Sequence, residues 1–220
     1  MRTDGLRKTL AAVVRRLVRP VVRQRNRLLA ARFDRARGID TGGIGSARRN
    51  REFEHYEATL PKEFERLLRP LDIDVRDFTY VDLGCGKGRT LVLAIELGFK
   101  RIIGVEFDPE LARVAQANVA VSTRTVRAST EIVVLDAAEY VFPDEPLVVY
   151  FYNPFRGATM QRVLENLHRS LTASPRPVFV VYYVPISRDK FDASGFLDPI
   201  HVSRRAVVYR ASVPEPTAEM

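Results

Sequence analysis

The sequence is poor in the residues that build metal centres and disulfide frameworks. Its 220 residues include one cysteine and three histidines. Cys85 has no partner for a disulfide, so we expect a reducing compartment. The histidines are scattered and do not have the spacing of metal ligands. We therefore predict neither a metal site nor a disulfide scaffold.

Long uninterrupted apolar runs are also missing. No stretch approaches the roughly 18 residues that a membrane-spanning helix requires, and no apolar segment leads into the small-residue cleavage site of a signal peptide. We therefore predict a cytoplasmic protein. The chain has 220 residues, of which 46% are hydrophobic. This is enough for one domain with a sizeable core and an appendage.

Positive charge is concentrated in the first 50 residues. They hold 14 Lys and Arg residues against three acids, a net charge of +11, so the other 170 residues sum to −3. Apolar residues recur at helical spacing over residues 6–19, with arginines between them, which predicts a basic amphipathic helix. Pro20 interrupts it, and a second helix is expected to run to Arg37 and end at Gly38.

Several interpretations of this basic segment remain open. Its helices could pack on the rest of the protein with their arginines in water, associate peripherally with an anionic membrane surface, or contact nucleic acid. An organellar transit peptide is disfavoured by the low serine content. We predict a basic helical extension over residues 1–47, a main domain over residues 48–212 and a flexible tail over residues 213–220. A chain starting near Arg48 is expected to fold.

The most informative segment is a glycine-rich turn between a strand and a helix. The apolar run Tyr80–Leu83 leads into the turn, and the apolar-periodic run Thr90–Leu97 follows it. Glycines suit such a turn because the chain must adopt backbone angles closed to other residues and let a ligand approach the main chain. The spacing is G-x-G-x-G, whereas dinucleotide-binding dehydrogenases have G-x-G-x-x-G, so a dehydrogenase is disfavoured.

Three further apolar runs end on an acid or an amide. One ends on Glu106, eighteen residues after Gly88, the next on Asp136 and the last on Asn153. These runs are continuously apolar, which is typical of parallel strands covered by helices on both faces. In such sheets ligands bind at the carboxyl ends of the strands, and one carboxylate can bind both hydroxyls of a ribose.

Together these motifs resemble those of the class I S-adenosylmethionine-dependent methyltransferases. The resemblance implies an α/β fold with a doubly wound, mostly parallel seven-stranded Rossmann-like sheet. The last two strands, Phe196–Val202 and Ala206–Ala211, are expected to form an antiparallel hairpin that completes the sheet. The helical extension at the N-terminus would precede this domain.

The resemblance also implies a cofactor and the residues that bind it. The cofactor would be S-adenosylmethionine and the product S-adenosylhomocysteine, with Asp82 orienting the methionine end, Glu106 on the ribose and Asp136 at the adenine amino group. The predicted cofactor-binding residues are Asp82, Gly84, Cys85, Gly86, Gly88, Glu106, Phe107, Asp136, Ala137, Asn153 and Thr59.

Methyl transfer is expected beside the fourth strand. Asn153-Pro154-Phe155 is similar to the N-P-P-Y/F motif of amino-group methyltransferases, although the second proline is absent. The candidate catalytic residues are Asn153, Phe155 and Tyr56, the last because helices before the glycine turn often cover the methyl group in this superfamily. The acceptor would be a small molecule or a protein side chain, with N-methylation favoured over O-methylation. The alternatives are a catalytically inactive methyltransferase-like binding or scaffold protein and a small-molecule O-methyltransferase.

Overall fold

A single sheet organises the molecule, which we describe from a computed structural model over residues 20–22, 24–42, 59–124, 128–152, 155 and 157–212. The strands are β1 (Thr79–Leu83), β2 (Arg101–Glu106), β3 (Ser129–Val134), β4 (Leu147–Tyr152), β5 (Val178–Tyr183), β6 (Leu197–Val202) and β7 (Ala206–Ala211). Their spatial order is β3-β2-β1-β4-β5-β7-β6, with β1 to β5 parallel. The predicted doubly wound seven-stranded fold is confirmed.

Helices cover both faces of the sheet. They are α1 (residues 24–37, with the helical residues 20–22 before it), α2 (Pro61–Leu68), α3 (Arg89–Leu97), α4 (Pro109–Ser122), α5 (Gly157–Ala173) and α6 (Arg188–Asp192), with 3-10 turns at Arg69–Leu71, Val75–Asp77 and Ala137–Glu139. Side chains of α1 to α4 form one core cluster, and those of α5 and α6 form the other. Alternate residues of the strands enter the two clusters, which explains the continuously apolar runs.

The edge of the sheet differs from its centre. All five residues of β1 are buried, whereas β3 is exposed or half-buried throughout. β3 begins at Ser129, whose N–H donates to the Lys100 carbonyl at 2.8 Å, earlier than its apolar residues alone predict. An edge strand tolerates polar side chains because one of its sides faces water.

The C-terminal strands form the predicted antiparallel hairpin. β7 pairs with β5 on one side and with β6 on the other. The Ser203 hydroxyl accepts a hydrogen bond from the Ala206 N–H at 3.0 Å and closes the turn. This hairpin completes the sheet beyond β5.

Helix α1 packs on the same face as α2, α3 and α4. It ends before Gly38, whose φ of +67° is the left-handed conformation expected at a helix end. Phe33 is buried in the first core cluster, and the Arg37 guanidinium donates to the Glu96 carboxylate of α3 at 2.9 Å. The predicted second helix of the extension is therefore confirmed, and it is joined to the main domain.

A buried ion pair strengthens this junction. The Arg89 guanidinium, at the start of α3, lies 2.8 Å from the Asp34 carboxylate, and only 2% of the Arg89 side chain is exposed. The Thr41 hydroxyl and N–H both donate to Asp34, at 2.7 and 3.0 Å. The end of the extension therefore shares the interior of the main domain. The boundary after residue 47 stays a prediction, because residues 43–58 lie outside the described part, as does the predicted helix over residues 6–19.

Candidate functional site

The glycine turn connects β1 to α3 as predicted. Gly84, Gly86 and Gly88 have φ angles of +83°, +56° and +77°, which side chains of L-residues rarely adopt. A Cβ at Gly88 would also lie 3.1 Å from the Ala115 Cβ of α4. Glycine is thus required at Gly88 both by the backbone angle and by the close approach of α4.

Glu106 supports this turn from the end of β2. One carboxylate oxygen accepts the Gly86 N–H at 2.7 Å, and the other accepts the Asp108 N–H at 3.0 Å. Burial raises the pKa of Glu106, while these two backbone donors oppose the rise. Each oxygen can accept a further hydrogen bond, so the carboxylate can hold the turn and a diol at the same time.

Asp82 is buried, with 3% of its area exposed. Its carboxylate accepts a hydrogen bond from the Thr90 hydroxyl, which joins the end of β1 to the first turn of α3. Desolvation raises the pKa of Asp82 to about 7. The structure therefore shows a contact within the strand–turn–helix unit, and orientation of the methionine end of a cofactor through amides of the turn or water stays a prediction.

The raised pKa of Asp82 predicts a pH-dependent stability. Because the folded state holds this proton more tightly than the unfolded chain does, the free energy of unfolding should decrease as the pH rises from about 4 to about 7. Asp82→Asn keeps an acceptor for Thr90 and cannot ionise, so the decrease should be smaller in this variant. Urea denaturation at several pH values checks this, and identical slopes for both proteins would contradict it.

The ends of β2 and β3 lie side by side. Glu106 pairs with Val134 in the sheet, and the Leu135 N–H donates to the Glu106 carbonyl at 3.1 Å. Asp136 follows and caps the 3-10 turn that begins at Ala137, accepting the Ala138 N–H at 2.9 Å. Ala137 is buried, whereas Phe107 is 72% exposed and large enough for a planar ring to stack on it.

The residues expected around the methyl group are only partly described. Tyr56, Asn153 and Pro154 lie outside the described residues. The Thr59 hydroxyl lies 2.9 Å from the Tyr150 hydroxyl, and both side chains are buried. Tyr150 is the partner of Asp82 in the β1–β4 pair, so Thr59 lies near the point where the order of the strands reverses.

Phe155 packs toward the second core cluster. Its ring makes an edge-to-face contact with the Phe151 ring, at 6.2 Å between centroids, and the side chain is partly buried. The structure therefore gives Phe155 a packing role, and contact with an acceptor stays a prediction. Cys85 is buried as well, and burial raises the pKa of its thiol.

Sequence reasoning missed the residues that hold the glycine turn from outside. The Lys87 ammonium contacts the Asp40 carboxylate at 3.1 Å and the Gly42 carbonyl at 2.5 Å. The Asn118 amide of α4 donates to the carbonyls of Asp40 and Lys87 at 2.7 and 2.9 Å. The sequence contained one indication of these contacts, because Asp34 and Asp40 are two of only three acids in the strongly basic residues 1–50.

We also looked for a metal site and for a membrane-spanning helix among the described residues. Among those residues, no three His, Cys, Asp or Glu side chains are grouped as a metal ion would require. None of the helices described is long and apolar enough to cross a bilayer. The candidate site is the group of predicted residues at the carboxyl ends of β1, β2 and β3.

Known proteins match the centre of the chain. Residues 81–174 match the family model of a methyltransferase domain. A ribosomal protein L11 methyltransferase from Colwellia psychrerythraea is 41% identical over 46 residues, which cover 21% of this chain and 16% of that protein. A protein-lysine N-methyltransferase from Saccharolobus islandicus is 37% identical over 75 residues, covering 34% of this chain and 46% of that protein. The matched segments thus span less than half of these relatives.

Solved structures match more of the fold. A precorrin-6y C5,15-methyltransferase from Geobacter metallireducens has a TM-score of 0.52 at 16% identity, covering 80% of this chain and 96% of that one. A TehB-like methyltransferase from Corynebacterium glutamicum has a TM-score of 0.50 at 17% identity, covering 88% of this chain and all of that one. These structures share the Rossmann-like methyltransferase fold of the sheet, and residues 81–174 are similar to a methyltransferase domain.

Proposed function

We propose that the protein transfers a methyl group from S-adenosylmethionine to a nitrogen of an amine acceptor. The observation that carries the proposal is the Glu106 carboxylate, which accepts the Gly86 N–H and retains capacity for two hydroxyl donors. The exposed Phe107 ring beside it fits a purine, and the Asp136 carboxylate fits an amino group. The residues present therefore fit this cofactor.

The chain would contribute binding and alignment. The bound cofactor supplies an activated methyl group on a sulfonium, which is a good leaving group. Glu106 would hold the ribose, while the positive φ angles of the glycine turn let the main chain approach the methionine portion. Thr59 and Tyr56, before α2, would cover the reacting end and exclude water.

An amine acceptor is supported by the sequence after β4. In Asn153-Pro154-Phe155, the Asn side-chain oxygen would accept a hydrogen bond from the target amine and direct its lone pair toward the methyl group. The similar lysine methyltransferase supports the same substrate class over 75 residues. The missing second proline is the reason to test hydroxyl acceptors in parallel.

Asn153→Ala tests the position of the acceptor. We expect turnover to fall by about 100-fold, the order of loss for a misplaced reactant, while affinity for S-adenosylhomocysteine stays within about twofold. Steady-state kinetics and calorimetry measure the two quantities. Equal losses in both would assign Asn153 to cofactor binding or folding instead.

The class of acceptor can be tested with methyl-labelled S-adenosylmethionine. The full chain is incubated with lysine-containing peptides, small primary amines and small phenols, and products are identified by mass spectrometry. N-methylated products support the proposal, and O-methylated products alone replace it with O-methylation. Cofactor binding without transfer to any acceptor in the panel would favour the scaffold alternative.

A further inference from the structure

Helix α1 has two different faces. Its inward residues, Asn26, Ala30, Phe33 and Arg37, follow one another at helical spacing and are buried or half-buried. Five exposed residues lie on the outward side and have the same alternating spacing of four and three: Val21 in the preceding helical residues 20–22, and Arg25, Leu28, Arg32 and Arg35 in α1. We call these five residues the outward stripe.

Apolar side chains are unusually exposed on this helix. Val21 is 68% exposed and Leu28 is 61% exposed, and the adjoining Val22 and Leu29 are 43% and 39% exposed. Isolated exposed apolar residues are normal, but four on one short helix form a patch. The patch lies among arginines, so apolar and cationic groups share one surface.

The charge of the outward stripe is of one sign. Among residues 20–22 and 24–37, Asp34 is the one acidic residue, and its carboxylate contacts the buried Arg89 guanidinium. Among the described residues of this helix, therefore, no carboxylate lies on the outward face beside Arg25, Arg32 and Arg35. Such a surface is complementary to a layer of negative charge.

We propose that the outward stripe of α1 binds the protein to an anionic lipid surface. The arginines would contact lipid phosphates, and Val21 and Leu28 between them would enter the boundary between headgroups and acyl chains. Nucleic acid would use the arginines but would leave these two apolar side chains in water, so lipid is the better complement. The inward contacts of Phe33 and Asp34 hold the helix in place before it meets the membrane.

Binding is tested with the full-length protein and sedimented vesicles. We expect binding to vesicles of phosphatidylcholine with phosphatidylglycerol at low salt, and little binding to phosphatidylcholine alone. In R25Q/R32Q/R35Q the partition coefficient should fall about 100-fold, since each arginine near an anionic surface contributes about fivefold. The matched variant R113Q/R162Q/R204Q removes three exposed arginines elsewhere and should bind like the wild type.

The apolar part of the stripe is tested separately with V21S/L28S. Added salt screens the arginines, so the binding that remains at high salt should be lost in this variant. Three results would overturn the proposal: no binding to the anionic vesicles, equal loss in the two triple variants, or binding of a short RNA or DNA duplex in place of vesicles. Circular dichroism confirms that each variant is folded.

Discussion

Replacing Asp34 with alanine should lower the free energy of unfolding by about 3–5 kcal/mol, the cost of removing one member of a buried ion pair. The Arg89 guanidinium would stay in an interior where 2% of its side chain reaches solvent. The Thr41 hydroxyl and N–H would lose their acceptor as well. Urea denaturation of the full chain measures the change.

Asp40→Ala is the matched control for this experiment. Asp40 also pairs with a cation, Lys87 within the glycine turn, but 71% of the Asp40 side chain is exposed, so the loss should be below about 1 kcal/mol. Exchanging Asp34 and Arg89 together for leucine and methionine should recover much of the stability, because no buried charge remains. Similar small losses for Asp34→Ala and Asp40→Ala would show that the Asp34–Arg89 pair does not stabilise the junction.

The same ion pair changes the expectation for a shortened chain. A protein starting near Arg48 would keep Arg89 and lose Asp34, Thr41 and the buried Phe33. We therefore expect it to be strongly destabilised, contrary to the prediction from the charge pattern alone. The physical reason is that the inward face of α1 belongs to the first core cluster.

Glu106→Ala should weaken the affinity for S-adenosylhomocysteine by about 10- to 150-fold, equivalent to about 1.5–3 kcal/mol for hydrogen bonds to a charged group. The substitution removes the acceptor of the Gly86 N–H together with the expected ribose contacts. The ligand-induced rise in the melting temperature should shrink accordingly.

Glu110→Ala is the control for the change in net charge, because Glu110 lies on the first turn of α4 and is exposed. Its affinity for S-adenosylhomocysteine should stay close to that of the wild type. Unchanged affinity in Glu106→Ala would remove Glu106 from the cofactor site.

The parts of the fold that sequence could predict depend on local pattern. Continuous apolar runs indicated buried parallel strands, and glycines at Gly84, Gly86 and Gly88 indicated a turn with positive φ angles, because both signals lie within a few residues. The end of α1 at Gly38 was predictable for the same reason. These features need no knowledge of distant contacts.

What sequence could not predict depends on contacts between distant residues. Arg89 and Asp34 are 55 positions apart, and nothing local indicates that an arginine at the start of α3 is buried. Likewise, the sequence predicted that Asp82 helps to orient the methionine end of a cofactor through amides of the turn or water, but it did not indicate that this carboxylate is buried and accepts the Thr90 hydroxyl. Side-chain direction within the turn follows from packing rather than from spacing.

We propose that the glycine turn and Glu106 bind S-adenosylmethionine rather than a dinucleotide. Isothermal titration calorimetry of the full-length protein with S-adenosylhomocysteine, and separately with NADH, tests it most directly. We expect saturable binding of S-adenosylhomocysteine at one site per chain, weakened in Glu106→Ala, and no binding of NADH at the same concentrations. Binding of NADH without binding of S-adenosylhomocysteine would contradict it.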